Sequence, residues 1–305
     1  MLVSIIINNY NYFRFLEESI LSAINQDYKS VEVIVVDDGS TDKSRDLISK
    51  YHGRIIPVLK SNGGQASAFN EGFRISKGEI VCFLDSDDLF FNGKVSEIVN
   101  LFQEYPNAGW CFHELEEVDA SGNKLKRKRN SIKEFEFVNL RHIFNEEREF
   151  QHWFPATSGL SFRREVLDKI FPMPQSFKTV ADSYLRLASI FLCPGILSPD
   201  LLAVHRLHGQ NLYEFRDDTY LKRAQNDIIT SYHIRKKFPG TRQFSNYKFC
   251  RALCKFIEYK GFFEAMSIPE VRGFLKNEIS PLFQAKLTAY IAKGAINRVR
   301  STLHT

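Results

Sequence analysis

Along the first hundred residues, short apolar runs alternate with stretches in which apolar positions recur every three or four residues. The runs are VSIII, VEVIVV, RIIPVL and EIVCFL, and the stretches between them are RFLEESILSAI, DKSRDLISKY and QASAFNEGFRI. Short apolar runs bounded by turn signals fit buried strands, and the spaced pattern fits amphipathic helices. Strands alternating with helices of this size imply right-handed crossovers, so an α/β fold on a mainly parallel sheet is predicted. Ligands of such open sheets collect beyond the carboxyl ends of the strands. The polar residues there are Asn8, Asn9 and Tyr10 after the first strand, Asp37 and Asp38 after the second, and Asp85 to Asp88 after the fourth.

The pattern changes at Gly109. GWCFHELEEV and NKLKRKR flank DASG as an expected hairpin, a mixed stretch runs to about Gly209, and from about Asp217 the periodicity is helical. No repeat or low-complexity linker interrupts the 305 residues. Composition narrows the class. The chain is 44% hydrophobic and 25% charged, an ordinary globular balance, and its net charge of +5 is too mild to argue for nucleic acid. Five cysteines without a CxxC pair fit a reducing compartment and argue against zinc. The opening MLVSIIINNYNYF lacks a basic segment ahead of its short apolar run, so no signal peptide is expected, and no run reaches the length of a membrane span. A cytoplasmic location, with peripheral membrane contact as an option, follows as the expectation.

Candidate chemistry centres on GEIVCFLDSDDLFFNG. Three carboxylates crowded at a strand exit repel one another unless a cation sits among them. Asp85 and Asp87 are two apart and face the same way in extended backbone, a spacing at which one can hold a divalent metal and its neighbour a sugar or a metal-bound water. The alternative is an Asx-turn or a helix cap, which needs a single side chain and suits Asp88 best. Gly63 and Gly64 in KSNGGQASAFNEGF offer backbone N–H groups to phosphate or sugar oxygens, or they form a plain turn. Asp182, in TVADSYLRLASIF, sits at a helix start where an acid also complements the dipole. His205 and His208, in VHRLHGQN, follow a strand-like run and read equally as core or loop histidines.

Taken together, VSIIINNYN, VEVIVVDDGSTDKS, KSNGGQASAFNEGFRISKGEIVCFLDSDD, ADSYLRL and HRLHGQN closely resemble, in order and spacing, the nucleotide-sugar-dependent glycosyltransferases of family 2, with the GT-A fold. The resemblance covers roughly residues 1 to 210, about two thirds of the chain. It implies a GT-A catalytic domain over residues 1–210 and a helical region over 211–305. It implies Mg²⁺ or Mn²⁺ and a nucleotide-sugar donor, with a UDP-sugar as first expectation. By the same resemblance Asn8, Asn9 and Tyr10 edge the base pocket and Asp38 bonds the base, while Asp37 holds the loop. Asn62, Gly64, Gln65 and Asn70 line the donor site. Asp85, Ser86 and Asp87 form the DxD motif, with Asp85 toward the ribose or sugar and Asp87 on the metal. Asp182 matches the catalytic base, and His208 a histidine near metal and diphosphate.

The implied reaction inverts the anomeric carbon and transfers one sugar per encounter to a glycan or lipid-linked glycan, as in cell-surface polysaccharide assembly. The QxxRW motif of processive synthases is absent. Ala181 stands where the family often has a second acid, so the base rests on one carboxylate. The alternative from another class is a nucleotide-sugar or glycan-binding protein without turnover. A haloacid-dehalogenase-type phosphatase would carry its DxD after the first strand, and a sugar nucleotidyltransferase a glycine-rich basic loop where NNYNYF stands. Residues 279–305, basic and apolar in alternation, could lie on an anionic membrane surface, with Lys124 to Arg129 adding attraction, or pack on the helical region.

Overall fold

The computed structural model describes residues 1–126, 132–145, 154–209, 211 and 219–277. The Lys124–Arg129 run is therefore described only to residue 126, and the 279–305 stretch lies outside the described residues. The elements that position the site are β1 (Val3–Asn9), α1 (Phe13–Ile24), β2 (Val31–Asp38), α2 (Ser44–Lys50), β3 (Ile56–Lys60), α3 (Gln65–Ile75), β4 (Ile80–Asp85), β5 (Leu89–Phe90), α4 (Lys94–Glu104), β6 (Trp110–Asp119), β7 (Glu136–Val138), β8 (Leu160–Arg163), α5 (Arg164–Ile170), α6 (Asp182–Leu192) and β9 (Gly195–Leu207).

β3, β2, β1 and β4 lie side by side and parallel; beyond β4 the sheet continues through β8, β6, β9 and β5, with β7 on β9. β4 to β8, β8 to β6 and β5 to β9 are antiparallel, so the second half of the sheet is mixed. Alternation along β1 explains its unbroken apolar run. Ile5 and Ile7 face a core that includes Leu16 and Ile20 of α1 and Val95 and Ile98 of α4. Ile6 faces α3, where a Cβ on Gly72 would lie 2.5 Å from its side chain, so only glycine lets this helix approach the sheet so closely. A strand covered on both faces needs apolar residues at every position. Phe69 of α3 meets Phe83 of β4 at 4.8 Å on that second face.

The expected hairpin after Gly109 is seen at its turn and the first residues of its returning arm, the rest of which lies outside the described residues. The turn is built by Asp119, which accepts from Ser121 and Asn123, and among the described residues the returning arm adds the bridge of Lys124 to Val118 and the bond from the Leu125 N–H to the Glu117 carbonyl at 2.8 Å. β6 also pairs with β8 and β9, which carry it into the main sheet.

The described residues divide into two compact units, those up to 141 with 154–211, and 142–145 with 219–277. In the second, α7 (Thr219–Lys237), α8 (Arg242–Lys260), α9 (Phe262–Ser267) and α10 (Pro269–Asn277) bury Ile228, Phe249, Leu253, Val271 and Phe274. No helix among the described residues is long and apolar enough to cross a membrane.

A polar knot lies inside the first unit. Lys94 is fully buried, its Nζ 3.2 Å from Ser161 Oγ and 3.8 Å from the Phe90 ring centre. His113 is also fully buried, and burial first, then the Lys94 charge, pushes its pKa down to about 3. Its ordinary value is near 6.5, so on acidification the unfolded chain takes up this proton while the folded one does not. Stability is therefore lost as pH falls through the window from about 6.5 to 3. His113→Asn is expected to reduce the acid loss of unfolding free energy by an amount on the order of 2 kcal/mol between pH 6.5 and 5. Equal pH slopes for the two proteins in thermal melts would rule out His113 as the cause.

Candidate active site

Register brings the polar residues of three strands to one edge. Asn8 of β1 pairs with Asp85 of β4, and Asn9 of β1 with Asp37 of β2. Strand ends leave backbone and side-chain groups without ladder partners, and here they bond one another. Asn9 donates to Asp37 at 2.9 Å, and Asp37 also accepts from the Ser40 N–H at 3.0 Å and Arg45 Nε at 2.8 Å. Burial alone would raise the Asp37 pKa, but these bonds outweigh it and hold the carboxyl below its usual range. Asn11, at φ 61°, closes the β1–α1 turn, its side chain accepting from Thr41 at 2.7 Å. The left-handed region is tolerated by Asn because its short side chain can bond locally.

Asp38 is committed in a way the sequence does not suggest. Its carboxylate accepts from the N–H groups of Gly63 at 3.0 Å and Gly64 at 2.7 Å and pairs with Lys60. The N–H groups of this glycine loop thus meet a carboxylate of the chain itself rather than standing open to phosphate or sugar oxygens. The next two, on Gln65 and Ala66, donate to the carbonyls of Lys178 and Phe177. Gly64 has φ +89° and a Cβ on it would stand 2.7 Å from Lys178 Cα, so both conformation and space demand glycine. Asn62 is exposed beside Gly39, and Tyr10 is 42% exposed on the rim. Asn70 clasps the backbone of Met173, donating to its carbonyl at 2.9 Å and accepting from its N–H at 2.7 Å.

The acidic end of β4 is the electrostatic centre. Burial first and the Asp87 charge second push the Asp85 pKa up to about 7, with Asp182 adding to the rise and hydrogen bonds from Asn8 and Thr157 opposing it. Ser86 is buried. Asp87 Oδ2 lies 3.0 Å from His208 Nε2 and 3.2 Å from Asn211 Nδ2. The His208 ring stacks on Phe15 at 4.7 Å and meets Tyr12 edge-on at 5.6 Å, which fixes its plane. Asp88, 1% exposed, accepts from Ser158 Oγ at 2.6 Å and from the Arg206 N–H at 2.9 Å. Burial and the charges of Asp87 and Asp85 hold its carboxyl well above the ordinary range, and its bonds tie β4 to β9.

Asp182, 6% exposed, opens α6; its carboxylate pairs with Arg186 at 2.9 Å and accepts from the Ser183 N–H at 2.9 Å. Arg186 reaches on to the carbonyl of Pro155 and to Ser183 Oγ. Asp85, Asp87, His208 and Asp182 are thus drawn together from three distant stretches of chain. Sequence reasoning missed Arg186, Thr157, Ser158 and Asn211. Arg186 stands four residues after Asp182, the spacing of a helical ion pair, and was open to detection. Ser158, 73 positions from the Asp85 N–H that it accepts, carried no local signal.

The profile of Glycosyl transferase family 2 matches residues 4–171, more than half of the chain. The chain belongs to glycosyl transferase family 2. Among curated family members, an uncharacterised glycosyltransferase of Nostoc sp. is 36% identical over 217 residues, 69% of this chain and 66% of that protein. One from Rickettsia typhi is 40% identical over 127 residues, 41% of this chain and 39% of that protein, so the chain spans only part of these relatives. The minor teichoic acid biosynthesis protein GgaB of Bacillus subtilis is 37% identical over 34% of this chain and 12% of its own. Among solved structures, residues 1–349 of S. aureus TarS in complex with UDP-GlcNAc align with TM-score 0.63 at 18% identity, covering 96% of this chain and 89% of that one. A mannosyltransferase from Pyrobaculum calidifontis in complex with GDP-Man and Mn²⁺ aligns at 0.52 and 18%, covering 97% and 86%. These likenesses show the fold, and the fold of this family 2 chain is GT-A.

Proposed function

We propose that the chain transfers one sugar per encounter, with inversion, from a nucleotide-diphosphate sugar to a hydroxyl of a glycan or lipid-linked glycan. The observation that carries this reading is the convergence of Asp85, Asp87 and Asp182 at one sheet edge, where burial first, and then the charges of Asp87 and Asp182, raise the Asp85 pKa. A fold keeps such repulsion where a ligand relieves it. The chemistry needs a base on the acceptor side of the sugar and positive charge on the side of the departing diphosphate. Asp182 takes the proton of the acceptor hydroxyl as its oxygen attacks the anomeric carbon from the face opposite the diphosphate. Asp85, hydrogen-bonded by Asn8, faces the donor's ribose or sugar. Tyr10 is exposed enough to stack on the base. Asp38, held by Gly63, Gly64 and Lys60, shapes the loop beside the base.

The residues fit a hard cation. Asp87 accepts both of its described bonds on Oδ2, with the His208 imidazole beside it. Among the described residues no three His, Cys, Asp or Glu groups form a metal cage. Mg²⁺ and Mn²⁺ sites in nucleotide enzymes commonly use one or two protein ligands and complete their shell with phosphate oxygens and water. Asp87, with His208, would hold such an ion, which when bound neutralises charge on the departing diphosphate. TarS and the Pyrobaculum enzyme, solved in complex with UDP-GlcNAc and with GDP-Man and Mn²⁺, support this choice of ligand class. GgaB's part in teichoic acid synthesis supports a cell-surface polymer as acceptor.

Thermal shift with UDP, GDP and dTDP, each with Mn²⁺ and with EDTA, tests the donor site directly, because a ligand bound to the native state raises its melting temperature. One nucleotide is expected to stabilise clearly more with Mn²⁺. Equal shifts in EDTA would remove the metal from the reading. Nucleotide binding without any turnover of common donors would favour a binding protein instead.

A further inference from the structure

Gln65 opens α3 and stands 116 positions from Ala181 in sequence, yet its side chain joins the two acidic regions of the site. Its Oε1 accepts from the Ala181 N–H at 2.8 Å, and its Nε2 lies 3.4 Å from Asp85 Oδ1. Around it the 63–66 loop and the 177–181 segment interlock. Gln65 and Ala66 N–H groups donate to Lys178 and Phe177 carbonyls at 3.0 and 3.1 Å, and Lys178 Nζ donates to the Gly63 carbonyl at 2.9 Å. The segment so held includes Val180 at φ 56°, a left-handed conformation that crowds a β-branched side chain. Such a residue persists only where its surroundings over-determine it. Val180 turns the chain into α6, so its conformation sets where Ala181 and Asp182 emerge.

We propose that Gln65 is a positioning residue for Asp182: it clamps the Ala181 N–H, holds the strained Val180 turn, and thereby sets the place of the Asp182 carboxylate relative to Asp85. The inference rests on the assignment of Asp182 as the base. It differs from a donor-lining role for Gln65, since both described bonds of its amide run to the protein. If the clamp is lost, Val180 relaxes toward ordinary backbone and carries Asp182 with it. If position 180 is glycine, the left-handed turn costs little and survives without the clamp.

The test is a double-mutant cycle of Gln65→Met and Val180→Gly, read two ways in the full chain. The first reading needs no substrate: hydrogen–deuterium exchange of peptides spanning residues 177–186. Gln65→Met is expected to speed exchange there, and Val180→Gly to restore part of the protection in the Gln65→Met background. The second is nucleoside-diphosphate release from whichever of UDP-GlcNAc, UDP-glucose, UDP-galactose and GDP-mannose the wild type turns over fastest. Here Gln65→Met is expected to lower kcat by about 10- to 100-fold with donor KM within about threefold, the scale of a misplacement near 1 Å. Val180→Gly should recover a large part of that loss. Unchanged exchange, strictly additive effects, or a rise in donor KM with kcat intact would each overturn the positioning role. Full activity of Asp182→Asn would instead remove the base assignment beneath it, and exchange would still report whether the clamp holds the turn.

Discussion

Asp182→Asn is expected to lower turnover by a factor on the order of 10² to 10⁴ while leaving nucleotide binding within a few-fold of wild type. The size follows from what the change removes. Asparagine keeps the shape of the side chain and one acceptor oxygen, so the Ser183 N–H that Asp182 caps keeps a partner. It removes the negative oxygen that would receive the acceptor proton and that now faces Arg186 at 2.9 Å. Arg186 retains the Pro155 carbonyl and Ser183 Oγ as partners, so the guanidinium is not stranded and the fold should hold. Donor turnover with acceptor, followed by nucleoside-diphosphate release, separates chemistry from binding when paired with calorimetric titration of the nucleotide. Wild-type rates in this variant would remove Asp182 from the mechanism, and weakened nucleotide binding at normal kcat would move it to the donor side.

Asp87→Ala is expected to abolish the extra thermal stabilisation that Mn²⁺ lends to a bound nucleoside diphosphate. In the wild type at saturating ligand, the stabilisation is on the order of 3 kcal/mol, worth roughly 5 to 10 °C for a domain of this size. Without ligand, two effects of the substitution oppose one another. His208 Nε2 and Asn211 Nδ2 lose a buried acceptor, which destabilises. Asp85 and Asp88, whose pKa values are raised by burial first and by the Asp87 charge second, lose that like charge, which stabilises. The apo melting temperature should therefore move little, and the metal-dependent increment should vanish. An increment that survives in Asp87→Ala would place the cation elsewhere. Loss of the folded state without ligand would show that the His208 and Asn211 bonds outweigh the relieved repulsion.

The local pattern determined a great deal of this protein. β1, β2 and β4 were legible because strands covered on both faces need unbroken apolar runs, and α1 and α3 because a helix with one buried face repeats every three to four residues. The carboxyl edge of the parallel strands followed from that alternation, and with it the neighbourhood of Asn8, Asp37 and Asp85. The five motifs named the family, because their order and spacing are specific even where each alone is weak.

Tertiary structure decided the rest, and the decisions concern partners. Nothing near Asp38 in sequence says that its carboxylate meets the Gly63 and Gly64 N–H groups, nor does Asn70 advertise its clasp on Met173. Asp88 could be read as a turn or cap residue, and only the return of β9 showed it holding the Arg206 N–H. The bridge from Gln65 to Ala181 and the left-handed turn at Val180 left no mark in the local pattern. The physical reason is range. Hydrophobic periodicity records which face of an element is buried, a property of a few consecutive residues. A buried hydrogen bond depends on which donor and acceptor the folded chain brings within about 3 Å, and those groups can stand more than a hundred positions apart.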